Sequence, residues 1–231
     1  SMPTAVGSPI ARGIVDIRQQ NEVIARACRD FPGHFPFGLA LIEARFGKLG
    51  IEEAERAMSE LGLVGLVGHP PIAEWCIPFV EAAAARGGLC NLHLHNPLMV
   101  RIAEMFPQAT FVVHASTFGA ENLARFDNVI FEIVQYPNGQ GSEWDFAKLA
   151  SQVGRERLIF GADLPYYDYR VLQKTIEDAP IDDDLKDRIA YKNMVDLIKR
   201  FKPEWEMPAA PPSAPRRYDS DELWAVDPKN P

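Results

Sequence analysis

Cysteine and histidine are scarce in this chain, and what they fail to form is informative. Its three cysteines (Cys28, Cys76, Cys90) make no C-x-x-C pair and are odd in number. A cysteine-type zinc site is therefore set aside, and a reduced, cytosolic setting with buried thiols is expected. No apolar run approaches the roughly 20 residues a membrane helix needs. The opening Ser1-Met2-Pro3-Thr4 has no basic segment followed by an apolar one, so no signal peptide is read there. An excess of basic residues is missing too. With a net charge of −8, neither nucleic acid nor an anionic membrane is expected as partner. Glycine-rich phosphate turns, whether G-x-G-x-x-G or Walker type, do not occur.

What is present is an apolar strand followed by a helical pattern, repeated along the chain. Phe37–Ile42 reads as a buried strand, and Ile51–Leu61 has Ile51, Ala54, Ala57, Met58 and Leu61 at helical spacing. Leu63–Gly68 is the next strand. Ala73–Arg86 is the next helix, stopped by Gly87-Gly88. Leu89–His95 is strand-like, Pro97–Phe106 helical, Thr110–His114 a strand, and Ala120–Phe126 a short helix. Val129–Val134, Glu143–Val153 and Leu158–Gly161 continue the alternation, and Asp182–Phe201 reads as a closing helix. Strands apolar at nearly every position, each followed by a helix, predict a parallel sheet with covered faces. The missing phosphate turn weighs against a doubly wound sheet. Polar residues after several different strands favour a TIM-type β/α barrel, here with about six strand–helix units. The barrel domain is expected over residues 1–202. Residues 203–231, rich in proline (Pro208, Pro211, Pro212, Pro215), are expected as a tail, extended or disordered.

Four of the five histidines fall at or near expected strand ends: His69, His93, His95 and His114. His93 and His95 are two apart, so on a strand both imidazoles share a face. Joined by His114 from the next strand and by Asp163 from a later one, they would make a nitrogen–oxygen set suited to zinc or another divalent metal. Such a metal lowers the pKa of bound water and polarises a carbonyl. The plainer readings are a hydrogen-bonded loop histidine for each site and a capping role for Asp163. His69, before Pro70-Pro71, and Tyr166 are kept as substrate-contact candidates, and His34 reads as a loop residue. Arg12, Arg18, Tyr167 and Arg170 could meet an anionic or aromatic substrate, although surface placement has the stronger case. Glu132 sits in an apolar strand, where a carboxylate needs a partner, and ranks second as a site residue.

Several segments between Asn21 and Lys199 resemble the amidohydrolase-related family often called amidohydrolase 2. Asn21–Phe35 resembles the family's helix and the P-x-r-f run that leads into a strand. Phe106–His114 (FPQATFVVH) resembles fP-x-x-x-x-v-x-H, Arg157–Pro165 (RLIFGADLP) resembles r-i-x-F-G-[ST]-D-x-P, and Asn193 resembles the asparagine that closes the last helix. The resemblance implies that His114 matches the sixth-strand histidine, which assists at the metal or polarises the substrate. It implies that Asp163 matches the eighth-strand aspartate, a metal ligand and proton acceptor. The fifth-strand metal histidine would be His93 or His95, both of which are kept. The family's first-strand metal motif, H-x-H or E-x-H, has no counterpart before Gly38. By element count the first strand is missing, and the second is missing or reduced to a remnant in Met2–Val6. Exposed sheet edges would follow, unless the N-terminus, the tail or another subunit closes the gap.

The expected activity is metal-dependent hydrolysis, or non-oxidative decarboxylation, of a small carboxylated or cyclic metabolite. The expected cofactor is a divalent metal, with zinc first and manganese or magnesium as alternatives; whether a truncated form holds it is left open. A small-molecule substrate and a homo-oligomeric, cytoplasmic protein complete that expectation. The rival expectation is an inactive, truncated barrel that serves as a binding or assembly subunit.

Overall fold

Six short strands pair in parallel, in the order in which they occur along the chain. The computed structural model describes residues 13–68, 73–92, 97–115, 120–134, 144–162 and 167–209. The strands are β1 (Ala40–Leu41), β2 (Gly65–Gly68), β3 (Leu89–Leu92), β4 (Thr110–His114), β5 (Val129–Ile133) and β6 (Leu158–Phe160). The helices are α1 (Ile14–Asp30), α2 (Gly47–Ser59), α3 (Ile77–Ala84), α4 (Leu98–Met105), α5 (Ala120–Leu123), α6 (Phe146–Val153), α7 (Tyr169–Asp178), α8 (Asp183–Asp187) and α9 (Asn193–Phe201).

Alternation along the strands sorts their side chains into two apolar clusters. Leu66, Cys90, Phe111, Val113, Phe131 and Leu158 pack outward with residues of the crossover helices, among them Ala54, Phe79, Ile102 and Phe146. Leu41, Val67, Leu89, Val112, Ile130 and Ile159 form the inner cluster with Ile17 of α1 and Leu197 and Ile198 of α9. Sequential strand order with α2, α3, α4 and α6 all on one face is the winding of a TIM-type β/α barrel. A doubly wound sheet would reverse its order and place helices on both faces.

Local boundaries differ from the periodic pattern where backbone chemistry intervenes. The helix expected over Ala73–Arg86 divides into a 3-10 turn, Ala73–Cys76, and α3. Pro78, which has no N–H, sits in the first turn of α3, where that group would be unpaired in any case. Gly87 takes φ +62° and ends the unit. The helix expected over Asp182–Phe201 is interrupted by a π turn, Arg188–Lys192. Of Phe37–Ile42 only Ala40–Leu41 is ladder-paired. Helix α7 lacks a strong sequence signal, because only Leu172 and Ile176 of its ten residues are buried.

Among the described residues β1 and β6 are the sheet's edges, and a buried asparagine side chain occupies each. On β1, Asn21 of α1 accepts from Leu41 N–H (2.8 Å) and donates to Leu41 C=O (3.4 Å). On β6, Asn193 donates to the carbonyls of Arg155 and Leu158, both at 2.7 Å. These amides supply ladder bonds that a neighbouring strand would otherwise make. Asn21 is itself held by Glu53 (3.0 Å), a fully buried carboxylate that also accepts from Arg56 at 2.8 and 3.0 Å and faces Arg18 at 3.3 Å. Burial pushes the Glu53 carboxyl up, but the hydrogen bonds from Arg56 and Asn21 outweigh it and hold the group below its ordinary range.

The two edges are also joined through the inner cluster. Phe37, just before β1, meets Phe201 at the end of α9 with ring centroids 5.7 Å apart. Trp205 packs on the same cluster and donates its indole N–H to Pro32 C=O (3.2 Å). Residues 210–231 of the expected tail, and the Met2–Val6 remnant, lie outside the described residues.

Candidate active site

His114 is the last residue of β4, and Glu132 lies directly opposite it on β5. Phe111 and Val113 belong to the outer cluster and Val112 to the inner one, so alternation turns His114 inward. The same parity turns Glu132 inward beside Ile130. Their side chains meet: His114 Nε2 lies 3.4 Å from Glu132 Oε2, with 9% and 14% of the side chains exposed. The pair thus sits on the inner face, near the carboxyl ends of adjacent strands, where barrel enzymes carry their chemistry. The partner that a carboxylate in an apolar strand requires is His114.

The Glu132 carboxylate has room because residue 161 is glycine. A Cβ at Gly161 would lie 2.5 Å from Glu132 Cγ and 2.6 Å from its Oε1. Gly161 is fixed in place by its own N–H, which donates to Ile133 C=O at 2.8 Å. One layer below the pair, Asn91 of β3 stands in register with Val67 and Val112 and is 5% exposed. Reading along the chain missed Gly161 and Asn91. Their signals were a glycine directly after an apolar strand and an amide inside one (Leu89-Cys90-Asn91-Leu92).

Of the six residues expected at the site, His114 is described. His69, His93, His95, Asp163 and Tyr166 lie outside the described residues. In the chain, His69 directly follows β2, His93 directly follows β3, and Asp163 comes three residues after the end of β6. Among the described residues no three His, Cys, Asp or Glu side chains gather as a metal site would require. An imidazole beside a carboxylate is nevertheless the right donor chemistry for a divalent first-row metal, so the residues present fit such an ion as far as they extend.

Other candidates have structural roles. Arg170 is engaged by Asp168 and Arg18 by Glu53, which removes both as evident substrate contacts. His34 lies in the turn after α1, its N–H donating to Phe31 C=O at 3.0 Å. Burial pushes the Cys76 thiol up to about 12 and raises that of Cys90 further, so both are inert, protonated core residues. No helix among the described residues is long and apolar enough to cross a membrane.

A family model described as Amidohydrolase matches residues 8–198. The chain belongs to the amidohydrolase family. Solved structures with the same fold include 2,6-dihydroxybenzoate decarboxylase from Rhizobium, at TM-score 0.65 and 15% identity, with 85% of this chain and 83% of that one covered. The 5-carboxyvanillate decarboxylase from Sphingomonas paucimobilis aligns at TM-score 0.64 and 19% identity, covering 81% and 73%. A dihydroxybenzoic acid decarboxylase from Polaromonas, with bound manganese and the inhibitor 2-nitroresorcinol, aligns at TM-score 0.61 and 16% identity, covering 81% and 76%. No curated protein matches the chain. At these identities the likeness establishes the β/α-barrel fold.

Proposed function

We propose that this amidohydrolase-family chain is a divalent-metal-dependent enzyme that removes carbon dioxide, without oxidation, from a small carboxylated aromatic ring. Hydrolysis of a related ring compound is the second reading, favoured by the family description. The observation that carries the proposal is the inward-facing His114–Glu132 pair near the carboxyl ends of β4 and β5. The decarboxylases that share the fold, one of them with manganese bound, support the choice of reaction and metal.

In this reading His114, Asp163 and either His93 or His95 hold the ion. Position 93 has the parity of Asn91, and the β3–β4 register continued by two residues pairs it with His114, which supports His93. Bound there, a divalent ion supplies Lewis-acid charge for the substrate's carboxylate and neighbouring oxygen. Glu132 keeps the His114 ring turned along the inner face and balances any positive charge on it. Asp163 carries the proton to the ring carbon that bears the carboxylate. The carbon–carbon bond then breaks, its electron pair restores the aromatic ring, and carbon dioxide leaves. His69 and Tyr166 are assigned to the substrate's remaining edge, and a homo-oligomer is the proposed assembly, to be checked by light scattering.

Purified protein should bind manganese or zinc, with a rise in melting temperature, and should consume 2,6-dihydroxybenzoate or 5-carboxyvanillate with release of carbon dioxide. His114→Ala and Asp163→Asn should each abolish turnover while the protein stays folded. Absence of bound metal, of a thermal shift and of turnover on both acids would sink the proposal.

A further inference from the structure

Among the described residues, Asn91 presents a buried polar atom that the fold leaves unpaired: its Oδ1 has no hydrogen-bond partner. The surroundings make this costly. Asn91 is flanked in register by Val67 and Val112, both in the inner apolar cluster. A buried acceptor left unsatisfied there costs about 1–3 kcal/mol. A leucine of the same shape would carry no such penalty, so packing does not explain an amide at this position. What lies within reach is His114, two residues past Val112 on the same face and thus the diagonal neighbour of Asn91. Strand rise and spacing put the two Cα atoms roughly 8 Å apart, a span that the two side chains and one water molecule fill. A water in such a place needs polar partners, and the amide and the imidazole are two.

We propose that Asn91 is a positioning residue: its Oδ1 holds one buried water beneath His114, and that water fixes the orientation of the imidazole. The water donates one hydrogen to Asn91 Oδ1 and meets the ring from below, while Glu132 meets it from the side. His114 is thereby held against rotation from two directions. The inference rests on the reading of His114 as a site residue, and concerns how its ring is kept in place.

The test uses the full chain as wild type, Asn91→Leu, which keeps the shape and removes the acceptor, and Asn91→Thr, which keeps an oxygen acceptor. A high-resolution crystal structure of the wild type should contain a water about 2.7–3.2 Å from Asn91 Oδ1 and hydrogen-bonded to the His114 ring. In Asn91→Leu the melting temperature should hold or rise, while the His114 ring resonances, assigned by their loss in His114→Ala, shift or broaden. Turnover should fall by about tenfold or more with KM little changed, as for other outer-shell partners, and Asn91→Thr should recover much of it. A wild-type structure without that water overturns the proposal. So does an Asn91→Leu or Asn91→Thr protein whose His114 resonances match the wild type while only stability changes. If the wild type turns over neither acid, the decarboxylase reading fails, and the crystal structure and ring resonances still decide the role of Asn91.

Discussion

Asn21 does from a helix what a neighbouring strand would do, because one carboxamide carries the donor and the acceptor that Leu41 needs. Replacing it with leucine leaves the edge N–H and C=O unpaired and strips Glu53 of a donor. Asn21→Leu should lower unfolding free energy by about 2–4 kcal/mol in urea denaturation. Glu53 also sets a pH dependence. Its folded pKa lies below the ordinary value of 4.5, so its stabilisation is fully present above that value and is lost as pH falls through the lowered one. Urea midpoints followed downward from about pH 6 should therefore drop more steeply for the wild type than for Glu53→Gln. Gly161 presents the opposite case, a residue whose lack of a side chain is the functional point. Gly161→Ala should cost about 1–3 kcal/mol through overpacking and displace the Glu132 carboxylate, which a crystal structure of the variant would reveal.

At the scale of elements, the π turn before α9 adds a residue to the helix just ahead of Asn193. That residue is the one that reaches back to the carbonyls of Arg155 and Leu158. Bulges of this kind re-aim a side chain without ending a helix. Asn193→Leu should destabilise the protein by about 2 kcal/mol. The loss should be local first, with amide exchange in β6 accelerating before that in β3 or β4. Helix α3 shows the reverse relation between sequence and structure. Its apolar pattern runs on through Ala73–Arg86, yet a 3-10 turn precedes Pro78 and the α-helix starts beside it.

For the molecule as a whole, the inner cluster carries the burden of holding an open array together. Six strands contribute to it, and α1 and α9 complete it from the two ends of the described chain. The Phe37–Phe201 contact and the bond from Trp205 to Pro32 bring those ends together across the gap between β1 and β6. Phe201 is only partly buried, so Phe201→Ala should cost about 2–3 kcal/mol, less than a fully buried phenylalanine. If the edges are joined as described, the variant should also bind more of a hydrophobic dye than a mutant of an outer-face residue with equal stability loss.

The sequence by itself determined the alternation of strand and helix, the parallel, barrel-type winding and the position of His114 at the end of β4. Each of these rests on short-range properties: apolar period, turn residues, and which residue follows an apolar run. It marked Glu132 as a carboxylate in need of a partner but did not name that partner. Only the tertiary structure decided that His114 is opposite Glu132, because register between strands is set across a sheet and leaves no local trace. The same holds for the edge amides, whose partners lie 20 and 35 residues away, and for the orphaned oxygen of Asn91. A one-residue shift in pairing would leave every local pattern intact and turn His114 away from the site. The chemistry is therefore spelled in single residues but assembled by the sheet.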